Sequence, residues 1–126
     1  MRARSVTIVG DRKETIDSLE VYLTGVGVTA HATRSLKDAR KVAASVMAVV
    51  LFPDDFDADE VVATLLALRA ARPKVLILLV TSAPQHLRAA LDPDGLSLPP
   101  LVLPRPAFGW TIVDAIRANT QPELAS

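Results

Sequence analysis

Two short stretches, Ala48–Phe52 and Val75–Val80, contain no polar side chain. A strand that reads this way has no face for water. It is buried on both sides, the situation of an inner strand in a parallel sheet. Neither run approaches the roughly 20 apolar residues that a helix needs to cross a bilayer. The first run stops abruptly at Pro53-Asp54-Asp55. Proline has no N–H to give to a sheet ladder, so pairing ends there. In open α/β sheets, ligands and reacting groups gather beyond the carboxyl ends of the strands. The end of Ala48–Phe52 is therefore where function is expected.

Strand and helix patterns alternate around these two runs. Ser5–Gly10 is β-branched and reads as the first strand. Asp11, with Glu14 three residues on, has the form of a capping box for a helix carrying Ile16, Leu19, Tyr22 or Leu23, and Val26. Gly25 and Gly27 bracket its end, where a left-handed residue is expected. Val28–Ala32 is the second strand, and Ser35 with Asp38 caps a helix bearing Leu36, Ala39, Val42 and Ala43. After the third strand, Asp57, Asp59 and Glu60 place negative charge where a helix dipole favours it. That helix presents Val62, Leu65, Leu66 and Leu68 and ends in Arg69 and Arg72 before Pro73. Beyond the fourth strand, Val75–Thr81, a short helix is predicted over Gln85–Leu91, then a turn over Asp92–Gly95. Leu101–Leu103 is a short fifth strand, with prolines on both sides that mark an edge. Pro106 suits the first turn of a last helix running through Trp110, Ile112, Val113 and Ile116 to Ala118. One domain is read over residues 1–119, with 120–126 as a tail or the start of a linker. Five alternations imply a doubly wound α/β domain, a parallel sheet with helices on both faces.

Composition narrows the function. Fourteen basic residues balance fourteen acidic ones, without the basic face that direct nucleic-acid contact requires. There is no cysteine, hence no thiolate chemistry and no Cys-based metal site. His31 and His86 lack ligand spacing, and no G-x-S-x-G elbow supports a hydrolase reading of Ser82 and His86. No secretory leader pattern opens the chain, so a cytoplasmic setting is expected, with no membrane contact and no bound cofactor or metal.

The residues at the strand ends carry a more specific signal. VTIVGD at Val6–Asp11, VVLFPDD at Val49–Asp55, LLVTSA at Leu78–Ala83 and LPRP at Leu103–Pro106 fall in the order and spacing of a response-regulator receiver domain. The chain resembles that family from about Arg4 to Asn119. The resemblance implies a flavodoxin-like (βα)5 fold with strand order 2-1-3-4-5. It also implies the family's site: an aspartate phosphoacceptor after the third strand, an acidic pair holding Mg²⁺ after the first, a Thr or Ser after the fourth, and Lys-Pro after the fifth. Here the acidic pair is Gly10-Asp11, the acceptor position falls on Pro53, Thr81 matches the hydroxyl and Arg105-Pro106 matches Lys-Pro. The family's Lys-Pro bond is often cis, so the same is implied for Arg105-Pro106. Val102 sits where the family often carries a switching aromatic.

The resemblance is thus to a degenerate form, a pseudo-receiver that has lost its nucleophile and half of its metal ligands. Asp11, Pro53, Asp54, Thr81 and Arg105 would line a vestigial phosphoacceptor pocket. Asp11 either caps its helix or pairs with Arg105. Asp54 and Asp55 stand one and two residues past the acceptor position. In extended chain a one-residue shift turns a side chain to the other side, so both are expected in water, helping to cap the next helix. Thr81 and Ser82 either sense charge in the pocket or simply bond nearby backbone. Leu101, Leu103 and Trp110 mark an apolar edge. In receivers the face of the fourth helix, fifth strand and fifth helix is the usual place for a protein partner or homodimer, and Trp is favoured at hot spots. Trp110 packs either outward on that face or inward against the sheet. The function expected is a non-enzymatic bacterial signalling module acting by protein–protein contact. The alternatives are a phosphorylatable receiver using Asp54 or Asp55, and a small-ligand sensor at the strand-end crevice.

Overall fold

The computed structural model describes residues 5–42, 47–71, 75–83, 101–104 and 109–125. Strands β1 (Ser5–Val9), β2 (Thr29–Thr33), β3 (Ala48–Leu51), β4 (Leu76–Val80) and β5 (Leu101–Leu103) form one sheet in the order β2-β1-β3-β4-β5. Every pairing is parallel. This is the flavodoxin-like order expected from the sequence, with β5 at an edge as its flanking prolines required.

The two apolar runs are the inner strands, and all of their residues are buried. Their side chains alternate between two cores. On one face Val6, Ile8, Ala48, Val50, Leu76, Leu78 and Val80 meet α1 (Lys13–Gly25) and α4 (Gly109–Ala125) through Ile16, Leu19, Leu23, Ile112, Val113 and Ile116. On the other, Val9, Val49, Leu51, Ile77 and Leu79 meet α2 (Leu36–Val42) and α3 (Ala58–Ala71) through Leu36, Ala39, Val61, Leu65 and Leu68. Each inner strand serves both cores, which is why neither run contains a polar residue.

Helix boundaries follow local chemistry, with some departures from the sequence pattern. Ser35 caps α2, its hydroxyl accepting the Asp38 N–H at 3.3 Å. Asp57 caps α3 by accepting the Glu60 N–H at 3.2 Å. The capping box at Asp11 does not form: α1 starts one residue later, with Arg12 at the cap and no side-chain cap bond. Gly27 takes φ 92°, and Val28 N–H bonds Leu23 O at 2.9 Å, closing α1 with the left-handed residue the sequence called for. The buried stripe of α3 is Val61, Thr64, Leu65, Leu68 and Arg69, so Leu66 faces water, not the core. Arg69 is buried, and its guanidinium donates to Val75 O, tying the end of α3 to the start of β4. Burial lowers its pKa. The last helix runs to Ala125, beyond the Ala118 end that the pattern suggested and through the segment read as a tail. The expected helix over Gln85–Leu91, the turn at Asp92–Gly95 and Arg105-Pro106 lie outside the described residues.

Candidate functional site

Register brings the strand ends together. Val9 pairs with Leu51, Leu51 with Leu79, and Val80 with Leu103. The residues that follow, Gly10, Phe52-Pro53 and Thr81, therefore form a row at the carboxyl edge of the sheet. Backbone bonds extend the ladder one step into that row, from Phe52 N–H to Val9 O at 2.9 Å and from Thr81 N–H to Leu103 O at 3.1 Å.

The chain does not stay extended after β3. Pro53–Asp55 makes one turn of 3₁₀ helix, with Asp55 N–H bonded to Phe52 O and Phe56 N–H to Pro53 O. Proline suits the first position of such a turn because its φ is already set and no N–H is needed. Pro53 is buried. The turn removes the strand alternation: Asp54 is exposed, as expected, but it does not cap the next helix. Asp54 is exposed at the rim, but its carboxylate is aimed at the end of β4. Oδ1 accepts the Thr81 hydroxyl at 2.5 Å. Oδ2 accepts the Ser82 N–H at 3.0 Å and the Ser82 hydroxyl at 3.1 Å. Thr81 Oγ1 in turn accepts the Ala83 N–H at 3.0 Å, so the buried hydroxyl has both a donor and an acceptor. Thr81 thus bonds nearby backbone and a carboxylate at once.

Asp55 points the other way, toward β1. Its Oδ2 accepts the Asp11 N–H at 3.0 Å, and its Oδ1 lies 3.9 Å from Arg12 Nε. Asp55 therefore does not cap α3; Asp57 does. The Asp11 Oδ1 is 3.3 Å from an Arg34 guanidinium nitrogen, both groups being exposed. Such a pair contributes ~0–1 kcal/mol. The alternative partner, Arg105, is outside the described residues.

Gly10, which the sequence resemblance matched to the first residue of an acidic pair, has little room for a side chain. A Cβ there would lie 2.8 Å from Ile16 Cγ2 and 3.3 Å from Phe52 Cδ1. Ile16 and Phe52 fill the volume a side chain would need. Among the described residues no three Asp, Glu or His side chains converge as a metal cage. With Gly10 bare, Asp11 turned to Arg34 and Asp54 engaged by Thr81 and Ser82, the donor set does not fit the Mg²⁺ that a working receiver holds.

The apolar edge differs in detail from the sequence reading. Leu101 and Leu103 are half-buried and pack against the sheet core. The exposed residues are Val102 and Trp110, the indole at 59% exposure. Trp110 is thus on the outside. A separate cleft of about 280 Å³ lies between α1 and α4, lined by Thr15, Ser18, Leu19, Tyr22, Phe52, Gly109 and Ile112. Sequence reasoning missed it, because it depends on the nearness of residues far apart in the chain: a Cβ at Gly109 would lie 2.6 Å from Tyr22 Cδ2.

No protein-family model and no curated protein matches the chain. Solved structures do. A CheY-like response-regulator receiver domain from Methanospirillum hungatei superposes with a TM-score of 0.79 at 14% identity, over 99% of this chain and 100% of that one. The signal receiver domain of an HD domain-containing protein from Pseudomonas fluorescens gives 0.78 at 18% identity, again over 99% and 100%. The fold is that of a receiver domain. A Burkholderia pseudomallei response regulator solved with a phosphorylated aspartic acid and a calcium ion matches at 0.70 and 18% identity, over 97% of this chain and 71% of that one. Identities this low speak to the fold alone. No helix among the described residues is long and apolar enough to cross a membrane.

Proposed function

We propose that this chain is a signalling module of the pseudo-receiver kind, which acts by protein–protein contact and not by phosphotransfer. The observation that carries the reading is Pro53, buried at the end of the central strand, the position that the sequence resemblance matches to a receiver's phosphoacceptor. An imino acid ring offers no oxygen to a phosphoryl group. Three further features agree with it. Gly10 cannot carry the second metal-binding carboxylate without displacing Ile16. Asp11 faces Arg34. Asp54 already receives three hydrogen bonds, so a phosphoryl group on either oxygen would have to displace them. The exposed residue suited to contact is Trp110, on the last helix; Val102, also exposed, lies on the other face of β5 from the Leu101 and Leu103 side chains that pack toward that helix.

A second reading has one observation in its favour. The Asp54 carboxylate lies in the strand-end hollow and is exposed at its rim, so it is the candidate acceptor if phosphotransfer survives. Intact-mass measurement after incubation with acetyl phosphate and Mg²⁺ separates the two. The wild type is expected to gain no mass. An 80-dalton-class adduct that disappears in Asp54→Ala would establish the second reading and refute the first.

A further inference from the structure

β2 is an outermost strand of the sheet, with no strand beyond it among the described residues. Gly10 N–H donates to Thr33 O, so the main chain of Thr33 faces β1, and by alternation that of Thr29 and His31 does the same. The N–H and C=O groups of Ala30 and Ala32 therefore point outward, and no described residue bonds them. Such a row is a template for another strand unless a charge, a proline or a bulge guards it. The opposite edge is guarded: β5 has three residues and stands between Pro100 and Pro104. β2 has five residues in unbroken register with β1, and none of them is proline or charged like Lys, Arg, Asp or Glu. Its sequence, Thr29-Ala30-His31-Ala32-Thr33, reads the same in both directions.

We propose that β2 pairs with β2 of a second copy of this chain, antiparallel, about a two-fold axis at His31, so that the two sheets run on as one. The palindrome selects this occupant. Pairing centred on His31 sets Ala30 against Ala32 of the second copy, Thr29 against its Thr33, and His31 against its His31. Ala30 and Ala32 carry the outward main-chain groups, so each of the two Ala30–Ala32 pairs exchanges two hydrogen bonds. Thr pairs are favourable across antiparallel strands, and no Lys, Arg, Asp or Glu is set against its like. Thr29 and His31 are exposed, which leaves their side chains open to these pairs. The nearest full charge, Arg34, lies outside the palindrome and is engaged by Asp11. A few main-chain bonds over one short strand make a small interface, so the dimer is weak, with a Kd of roughly 0.1–1 mM. The contact is separate from Trp110 and from the strand-end hollow, and it stands whether or not Asp54 accepts a phosphoryl group.

Sedimentation velocity and amide exchange on the intact 126-residue chain test this. Between about 10 μM and 1 mM the wild type should pass from monomer toward dimer. Over that range the Ala30 and Ala32 amides should gain protection by about twofold or more, while the His31 and Thr33 amides, already bonded to β1, should not change. Ala32→Pro removes an outward N–H where an edge strand tolerates proline, and should weaken self-association by about tenfold or more. His31→Lys and His31→Glu each set like charges across the axis and should each weaken it by about two- to fivefold. An equimolar mixture of these two variants should recover association, which damage to the fold could not produce. Trp110→Ala should leave this dimer unchanged. The pairing is overturned if the chain stays monomeric at about 1 mM, if neither Ala32→Pro nor the His31 variants weaken the dimer, if the mixture fails to recover it, or if Ala30 and Ala32 gain no protection. Loss of the dimer in Trp110→Ala alone would assign it to the last helix and refute the pairing as well.

Discussion

Gly10→Ala is a one-carbon perturbation whose sign is fixed by packing. Gly10 has no left-handed φ, so alanine fits its backbone. On backbone entropy alone, alanine would stabilise the fold by about 0.4–1 kcal/mol. Packing opposes this. The new carbon would lie 2.8 Å from Ile16 Cγ2, a methyl on a β-branched side chain that is itself 2% exposed. Such a chain is stiff at χ1 and cannot swing aside cheaply. Overpacking of this kind costs about 1–3 kcal/mol, which exceeds the entropy gain. The net expectation is a loss of about 1–2 kcal/mol, or a fall in Tm of about 3–8 °C for a domain of this size. Gly10→Asp adds a carboxylate beside Asp55, whose Oδ2 is 3.4 Å from the new Cβ, and should lose of order 1 kcal/mol more. Urea denaturation followed by circular dichroism reads both, provided the slope with denaturant is unchanged. If Gly10→Ala is as stable as the wild type or more so, then Ile16 and Phe52 do not close this position, and the steric account of Gly10 fails.

Other consequences can be measured alongside. Arg69→Met keeps the buried stem but leaves Val75 O without its donor, and should cost about 1–3 kcal/mol in the same denaturation experiment. Gly109→Ala would push a carbon to 2.6 Å from Tyr22 Cδ2, so the Tyr22 ring resonances should shift and stability should fall by about 1 kcal/mol or more. Asp11→Ala removes only an exposed pair with Arg34 and should change stability by ~0–1 kcal/mol. If the β5 edge self-associates, Trp110→Ala should lower the apparent mass on size exclusion at high concentration while leaving Tm within a degree or two of the wild type, since the indole is mostly in water.

The architecture was legible because its signal is redundant. Ala48–Leu51 and Leu76–Val80 had to be inner strands, and alternating order with right-handed crossovers left few sheets to choose from. The strand ends were legible as positions but not as geometry. Sequence placed Pro53, Thr81 and Gly10 in a row, yet it treated Asp54 as part of an extended segment. The 3₁₀ turn at Pro53–Asp55 decides where that carboxylate goes, and strand periodicity says nothing about a turn. Asp11 read equally well as a cap, and only the fold reveals Arg34 across from it. The closeness of Ile16 to Gly10 and of Tyr22 to Gly109 depends on how α1 sits on the sheet, which no local pattern encodes. A signal for the Asp54 bonds was nonetheless available. Thr81-Ser82 offers two adjacent hydroxyls at a strand end, opposite a pair of acids.

Fluoroberyllate binding in the presence of Mg²⁺, followed by fluorine NMR, reports whether the pocket accepts a phosphoryl-shaped group without relying on the lifetime of an acyl phosphate. On the pseudo-receiver reading, with Pro53 in the acceptor's place and Asp54 already bonded to Thr81 and Ser82, only the signals of free fluoroberyllate are expected. A saturable bound resonance that is lost in Asp54→Ala would contradict this, and would show a phosphoacceptor displaced by one residue.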